Sequence, residues 1–209
     1  MNEISKSKIS PSGLRDVRTR GVDHLALVTD NMPATMDFYT RVLGMQLVHV
    51  RRVPFAPNRG QPPYEDLRHY FFNMGGDQLL AFFEYPKDVD RANRDHLGGM
   101  QHLAFNVERE ALDALVAHVR SCGVEVAGPY SLGDRFWSAY FYDNNGIRLE
   151  LATSLAPDEI GIVGSARQTE DEAVTELSTL FDDEAEIDRW LAEIPLLAEE
   201  ITIEIPGER

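Results

Sequence analysis

Gly98-Gly99-Met100-Gln101-His102-Leu103-Ala104-Phe105-Asn106-Val107 reads as a short strand. Met100, His102, Ala104 and Asn106 point one way, and Gln101, Leu103, Phe105 and Val107 the other. The histidine therefore opens the strand on the face opposite its most apolar side chains, a placement suited to a metal ligand. A single strand histidine is more often simply hydrogen-bonded. Here the pattern occurs twice: Gly21-Val22-Asp23-His24-Leu25-Ala26-Leu27-Val28 repeats x-x-His-Leu-Ala-Φ at an offset of 78 residues, and internal repetition precedes any other decision about fold.

The repetition extends outward from the histidines. After His24 a helix is predicted over 33–43, stopped at Gly44 and followed by Met45-Gln46-Leu47-Val48. After His102 a helix is predicted over 110–121, stopped near Gly123 and followed by Val124-Glu125-Val126. Glycine just past the last periodic residue is a helix-stop signal, and these two stand at an offset of 79. Arg68-His69-Tyr70-Phe71-Phe72-Asn73-Met74-Gly75-Gly76 then echoes Ser138-Ala139-Tyr140-Phe141-Tyr142-Asp143-Asn144-Asn145-Gly146 at an offset of 70. A final strand closes each half, at 78–85 and 147–152. Each half is strand, helix, then about three strands joined by hairpins. The shorter second offset assigns a longer loop to the first half, at 54–64.

The paired βαβββ layout resembles the vicinal oxygen chelate superfamily, which includes glyoxalase I, extradiol dioxygenases and bleomycin- or fosfomycin-resistance proteins. The resemblance is carried by Val22-Asp23-His24-Leu25-Ala26-Leu27, by Phe38-Tyr39-x-x-Val42-Leu43-Gly44-Met45, by His102-Leu103-Ala104-Phe105 and by Asn145-Gly146-Ile147-Arg148-Leu149-Glu150. It implies an α+β fold over residues 21–152, with module one at 21–86, a linker at 87–98 and module two at 99–152. One fold hosts many chemistries, so activity has to be argued from the site.

Hydrophobic residues make up 43% of 209, enough for one good core or two small modules sharing one. The single cysteine, Cys122, excludes an internal disulfide, fits a reducing compartment and reads as structural at a helix end. No signal-peptide core precedes residue 20 and no run of about 18 apolar residues exists, so a cytoplasmic protein without a membrane span is expected. The net charge of −15 is uneven: residues 153–209 hold 16 acids against 3 arginines, while the other 152 residues hold 19 acids and 17 bases. A chain without a basic footprint is a poor nucleic-acid binder.

Residues 1–20 read as a polar, loosely held arm. The Pro-rich loop 54–64, with Arg51, Arg52 and Arg59 nearby, is a candidate lid over a binding site. The strand at 79–84 is almost wholly apolar and should be buried on both faces. The linker, with Asp88, Asp90 and Asp95 against Lys87, Arg91 and Arg94, reads as solvated and polar. In the acidic extension 153–209, Thr169-Glu170-Asp171-Glu172 fits a capping box ahead of a first helix. Asp183 caps a second helix through Ile187, Trp190, Leu191 and Ile194, stopped by Pro195. Such one-sided apolar helices call for packing on the core or on another subunit.

The resemblance implies a metal centre built from His24, His102 and Glu150, one from the first strand of each module and one from the last strand of module two. An unpartnered carboxylate amid Leu149, Leu151 and Ala152 would cost several kcal/mol, and coordination removes that cost; an ion pair with an arginine such as Arg148 is the competing explanation. Two imidazoles and one carboxylate with open positions is the arrangement of non-haem Fe(II) oxygenases. Glyoxalase I-like relatives add a glutamate from the last strand of module one. The repeat puts that position at Leu80, with Ala81 and Phe82 as neighbours, and none can bind metal. Glu84 lies about 13 Å further along the strand and reads as a non-ligand.

Three ligands resemble the extradiol dioxygenases. The run Tyr140-Phe141-Tyr142-Asp143-Asn144-Asn145-Gly146-Ile147-Arg148-Leu149-Glu150 follows that family's Tyr-x-x-Asp-Pro-x-Gly-x-x-x-Glu, with Asn144 in place of Pro. The resemblance makes Tyr140 a hydrogen-bonding residue near the substrate. His69 is a candidate acid or base, while His49, His96 and His118 read as structural or surface groups. The family's histidine a few residues before the tyrosine is missing, since 130–137 offers only Asp134 and Arg135 as charged groups. The reading that results is a metal-dependent enzyme, an Fe(II) extradiol-type dioxygenase acting on a small phenolic or vicinal-oxygen substrate, working as a homodimer. Zn, Ni or Mn are the other candidate ions. A glyoxalase I-like lyase or isomerase and a non-catalytic, resistance-type binder are the alternatives. Phe55, Tyr64, Tyr70, Phe72, Phe136 and Trp137 suggest an apolar or aromatic ligand, and core packing explains them equally well.

Overall fold

The computed structural model describes residues 19–53, 67–87, 89–132, 136–154 and 161–196. The candidate lid, Asp134, Arg135 and most of the N-terminal arm lie outside them. The chain divides into two compact units, Gly21–Thr153 and a second made of Met1–Arg20 with Ser154–Arg209.

In the first unit β1 (His24–Thr29), α1 (Met32–Asp37), β2 (Gln46–Val53), β3 (Leu67–Gly75) and β4 (Gln78–Glu84) form one module. β5 (Leu103–Asn106), α2 (Arg109–Ser121), β6 (Ala127–Leu132), β7 (Phe136–Tyr142) and β8 (Arg148–Ser154) form the other. The sheets have matching orders, β1-β4-β3-β2 and β5-β8-β7-β6. In each the first strand runs parallel to the last, His24 pairing with Leu79 and Leu103 with Leu149. This is the paired βαβββ architecture, α+β, that the repeat implied.

The first helix departs from expectation. It is α-helical only over Met32–Asp37 and continues as a wider π turn over Phe38–Val42. Asn31 starts it, its side chain accepting from the Ala34 N–H at 3.2 Å. Phe38 and Tyr39, consecutive in this turn, are both buried, 7% and 0% exposed, and their rings meet edge-on at 5.3 Å. The core they enter is common to both modules. Phe72, Leu80 and Phe82 from one sheet and Ala139, Phe141 and Leu149 from the other meet α1 and α2 within it, and the rings of Phe38 and Phe141 lie 6.5 Å apart. Tyr70, Phe72 and Trp137 are thus spoken for by packing: Phe72 is wholly buried, while Tyr70 and Trp137 pack against the cluster.

The shared core occupies the helix-bearing face of each sheet. Leu25 and Leu27, or Leu103 and Phe105, pack against it, so the alternating positions His24, Ala26, His102 and Ala104 are turned away from it. The second unit contains α3 (Gly161–Ser165), α4 (Glu170–Leu177) and α5 (Glu184–Leu191). Its caps are those expected: a reciprocal Thr169–Glu172 capping box, and Asp183 accepting from the Ala185 N–H at 3.0 Å. No helix among the described residues is long and apolar enough to cross a membrane.

Candidate metal centre

His102 stands one residue before β5, which is shorter than its sequence suggested. Ala104 pairs with Glu150 across the parallel ladder, so His102 and Glu150 share a face with only a two-residue stagger. His102 Nε2 lies 2.8 Å from Glu150 Oε2. Glu150 is 7% exposed, and this imidazole, not Arg148, answers its charge. The guanidinium of Arg148 instead covers the Tyr140 ring, at 4.2 Å from its centroid. Tyr140 in turn meets the His102 ring edge-on at 6.2 Å. Burial pushes the Tyr140 phenol above its ordinary value, a hydrogen bond from Ser138 opposes this and the Glu150 charge adds to the rise. Tyr140 is therefore a proton-bearing hydroxyl at neutral pH.

Each histidine is oriented by the residue before it. His102 Nδ1 contacts Gln101 Oε1, and His24 Nδ1 lies 2.6 Å from Asp23 Oδ1. Engaging Nδ1 leaves Nε2 as the coordinating nitrogen, the usual outer support of a metal-bound histidine. Two donors each about 2.0–2.2 Å from one ion, at near right angles, stand about 3 Å apart, which matches the 2.8 Å between Nε2 and Oε2. The chemistry and spacing of this pair fit a divalent ion. The orienting residues Asp23 and Gln101 escaped the sequence reading, although a polar residue before each histidine was the available signal.

Among the described residues no three His, Cys, Asp or Glu side chains converge in a metal-sized group. Within one chain His102 and Glu150 are brought together, and His24 stands apart on the outward face of module one, edge-on to Phe71 at 5.8 Å. His69 is on that same face. Its ring stacks on Phe83 at 3.7 Å and lies 4.3 Å from Phe71. His49 meets Phe71 edge-on at 5.6 Å; His118 Nε2 meets the Arg41 carbonyl at 3.1 Å, and His96 meets Asn93.

The register also locates the module-one counterpart of Glu150. Ala26 pairs with Ala81 as Ala104 pairs with Glu150, so Ala81 holds that place, beside the Leu80 expected from the offset. Glu84 pairs with Thr29, about 17 Å along the strand from His24. Its carboxylate accepts from the Met32 N–H at 2.9 Å and pairs with Arg68. It anchors the start of α1.

Residues 21–151 match the pattern of the Glyoxalase/Bleomycin resistance protein/Dioxygenase superfamily. The chain belongs to this superfamily. Two curated relatives are uncharacterized: YwkD of Bacillus subtilis (strain 168), 25% identical across 63% of this chain and 95% of that one, and YaeR of Escherichia coli (strain K12), 28% identical across 62% and 93%. Among solved structures, the glyoxylase/bleomycin resistance protein/dioxygenase domain from Frankia sp. EAN1pec superposes with a TM-score of 0.54, at 21% identity, covering 65% of this chain and 98% of that one.

Proposed function

We propose that the protein is a metal-dependent superfamily enzyme, a non-haem Fe(II) extradiol-type dioxygenase acting on a small phenolic or vicinal-oxygen substrate. Its centre combines His102 and Glu150 of one protomer with His24 of a second copy. The observation that carries this reading is the His102–Glu150 pair, at ligand spacing with Nε2 left to coordinate. The outward faces of both modules support the two-copy arrangement, because each sheet presents its ligand side away from the shared core. Ala81 and the Arg68-bound Glu84 favour three protein ligands over the four of a glyoxalase-type lyase.

A bound ion would polarise substrate oxygens and, if iron, activate dioxygen. This chain's own residues then have separate tasks. Tyr140 donates a hydrogen bond to a substrate oxygen from its protonated hydroxyl. His69, held between Phe71 and Phe83 on the face that bears His24, serves as acid or base for the proton that ring opening requires.

Anaerobic reconstitution with Fe(II), followed by elemental analysis and a catechol titration, tests the reading. The expected result is about one iron per chain and a catechol-induced absorption band, both lost in His102→Ala, Glu150→Ala and His24→Ala. Preferential uptake of zinc or nickel with turnover of a hemithioacetal would replace it with the lyase. Small-molecule binding without any metal uptake would leave a sequestering protein.

A further inference from the structure

A cavity of about 530 Å³ opens between β1, the 85–100 linker and the start of β8, within the size range of small-molecule sites. Neither His24, His102 nor Glu150 lines it. Ala26 and Val28 from β1, Val89 from the linker and Ile147 beside β8 supply an apolar wall. Three arginines, Arg91, Arg94 and Arg148, and two aspartates, Asp30 and Asp90, line it, and Asp95 lies outside the lining beside Arg94.

The arginines are not equivalent. Arg91 is a strut, its Nη1 donating to the Asn145 carbonyl at 2.9 Å. Arg94 makes only a long contact to Asp95, Nε to Oδ1 at 3.5 Å, and a distant approach to the Tyr142 ring at 5.9 Å. Its Nη1 is buried without a hydrogen-bond partner, while about a third of the side chain stays exposed. Arg148 lies on Tyr140 at 4.2 Å and forms no ion pair among the described residues. The described linker residues are solvated, as their composition predicted, with Arg94 alone of them half-buried, and Arg91 and Arg94 line the cavity.

We propose that the cavity is a binding site for a small organic monoanion, a carboxylate on an apolar or aromatic body. Arg94 and Arg148 take the carboxylate in the forked geometry that guanidinium groups favour, and Ala26, Val28, Val89 and Ile147 receive the body. Arg148 is two residues from Glu150, and its stack on Tyr140 leads to the His102 ring. The seat therefore adjoins the metal pair. That the occupant is the enzyme's substrate rests on the metal reading above; the binding itself does not.

The test is a calorimetric titration of the chelator-treated full chain with benzoate, using benzyl alcohol as the uncharged control. Benzoate should bind with Kd of about 1 mM, and benzyl alcohol at least about tenfold more weakly. Arg94→Gln and Arg148→Gln, each checked by thermal unfolding, should each weaken benzoate about tenfold. His102→Ala should abolish iron uptake and keep benzoate affinity within about twofold, which separates the two readings. Equal affinity for benzyl alcohol, no saturation by about 20 mM benzoate, or indifference to both arginine substitutions would overturn the proposal.

Discussion

Asp143 accepts from four donors: the Asn145 and Ile147 N–H groups at 2.8 Å, and Asn145 Nδ2 and the Tyr39 hydroxyl at 3.0 Å. Tyr39 comes from the π turn that follows α1 in the other module, so this one carboxylate both shapes the β7–β8 turn and ties the modules together. Thr29 and Thr35 extend the junction, Thr29 donating to Asn145 Oδ1 at 2.7 Å and Asn144 Nδ2 donating to Thr35 at 3.0 Å. Burial, with the charge of Asp143 beside it, pushes the Tyr39 phenol well above its ordinary value, so it remains a donor at any working pH. Tyr39→Phe should cost about 1–2 kcal/mol by urea denaturation, and Asp143→Ala about 3 kcal/mol because several buried donors lose their acceptor. In a double-mutant cycle the doubly substituted chain should lose about 1 kcal/mol less than the sum of the two single losses. The sequence marks Asp143-Asn144-Asn145-Gly146 as a turn, but a partner 104 positions away leaves no periodic trace in a linear pattern.

At the scale of the element, the two helix exits compare one stop signal in two settings. After α2 the ending is a Schellman arrangement: Gly123 N–H donates to the Arg120 carbonyl at 2.9 Å, and Val124 N–H to Val119 at 3.4 Å. After α1 the π turn shifts the bond by one residue, so that Met45 N–H donates to Tyr39 at 2.9 Å. Gly44 and Gly123 have φ of +69° and +85°, with nothing within 4 Å of an added Cβ. Alanine at either position meets only the backbone penalty, and each variant should lose about 1–2 kcal/mol in thermal or urea unfolding. A loss well beyond that would mean that the open space is filled in solution. Both glycines were legible because a positive φ selects residue type locally. The succession of elements in each half and the placement of both histidines were legible for a related reason, since each recurs with its neighbours at a nearly fixed offset; Glu150 has no such echo, its counterpart being Ala81, and only the resemblance singled it out. The extra residue of the π turn was not, because it answers to the packing of Phe38 and Tyr39 against the other module. Arg148 was read as a possible ion-pair partner for Glu150, and only the cross-strand stack on Tyr140 shows where its charge goes.

The proposed ligand set lies in two parts of the molecule, and this makes the proposed assembly testable without a structure of a dimer. Module one presents His24 on one outward face, while module two presents His102 with Glu150 on its own. In a twofold dimer with exchanged contributions, each site takes His24 from one copy and the other two ligands from its partner. His24→Ala and Glu150→Ala chains are then each without an intact site. If the two are unfolded, mixed in equal amounts and refolded, half the dimers are mixed, and each mixed dimer has one site with all three ligands. The mixture should therefore regain about a quarter of the wild-type iron content and of the catechol absorption band. Should the ligands instead converge within one chain after a rearrangement of the modules, every site in the mixture lacks a ligand and nothing is regained. A recovery near a quarter, absent when His102→Ala is mixed with Glu150→Ala because both lesions fall on the same half-site, would separate exchange between copies from simple stabilisation by mixing.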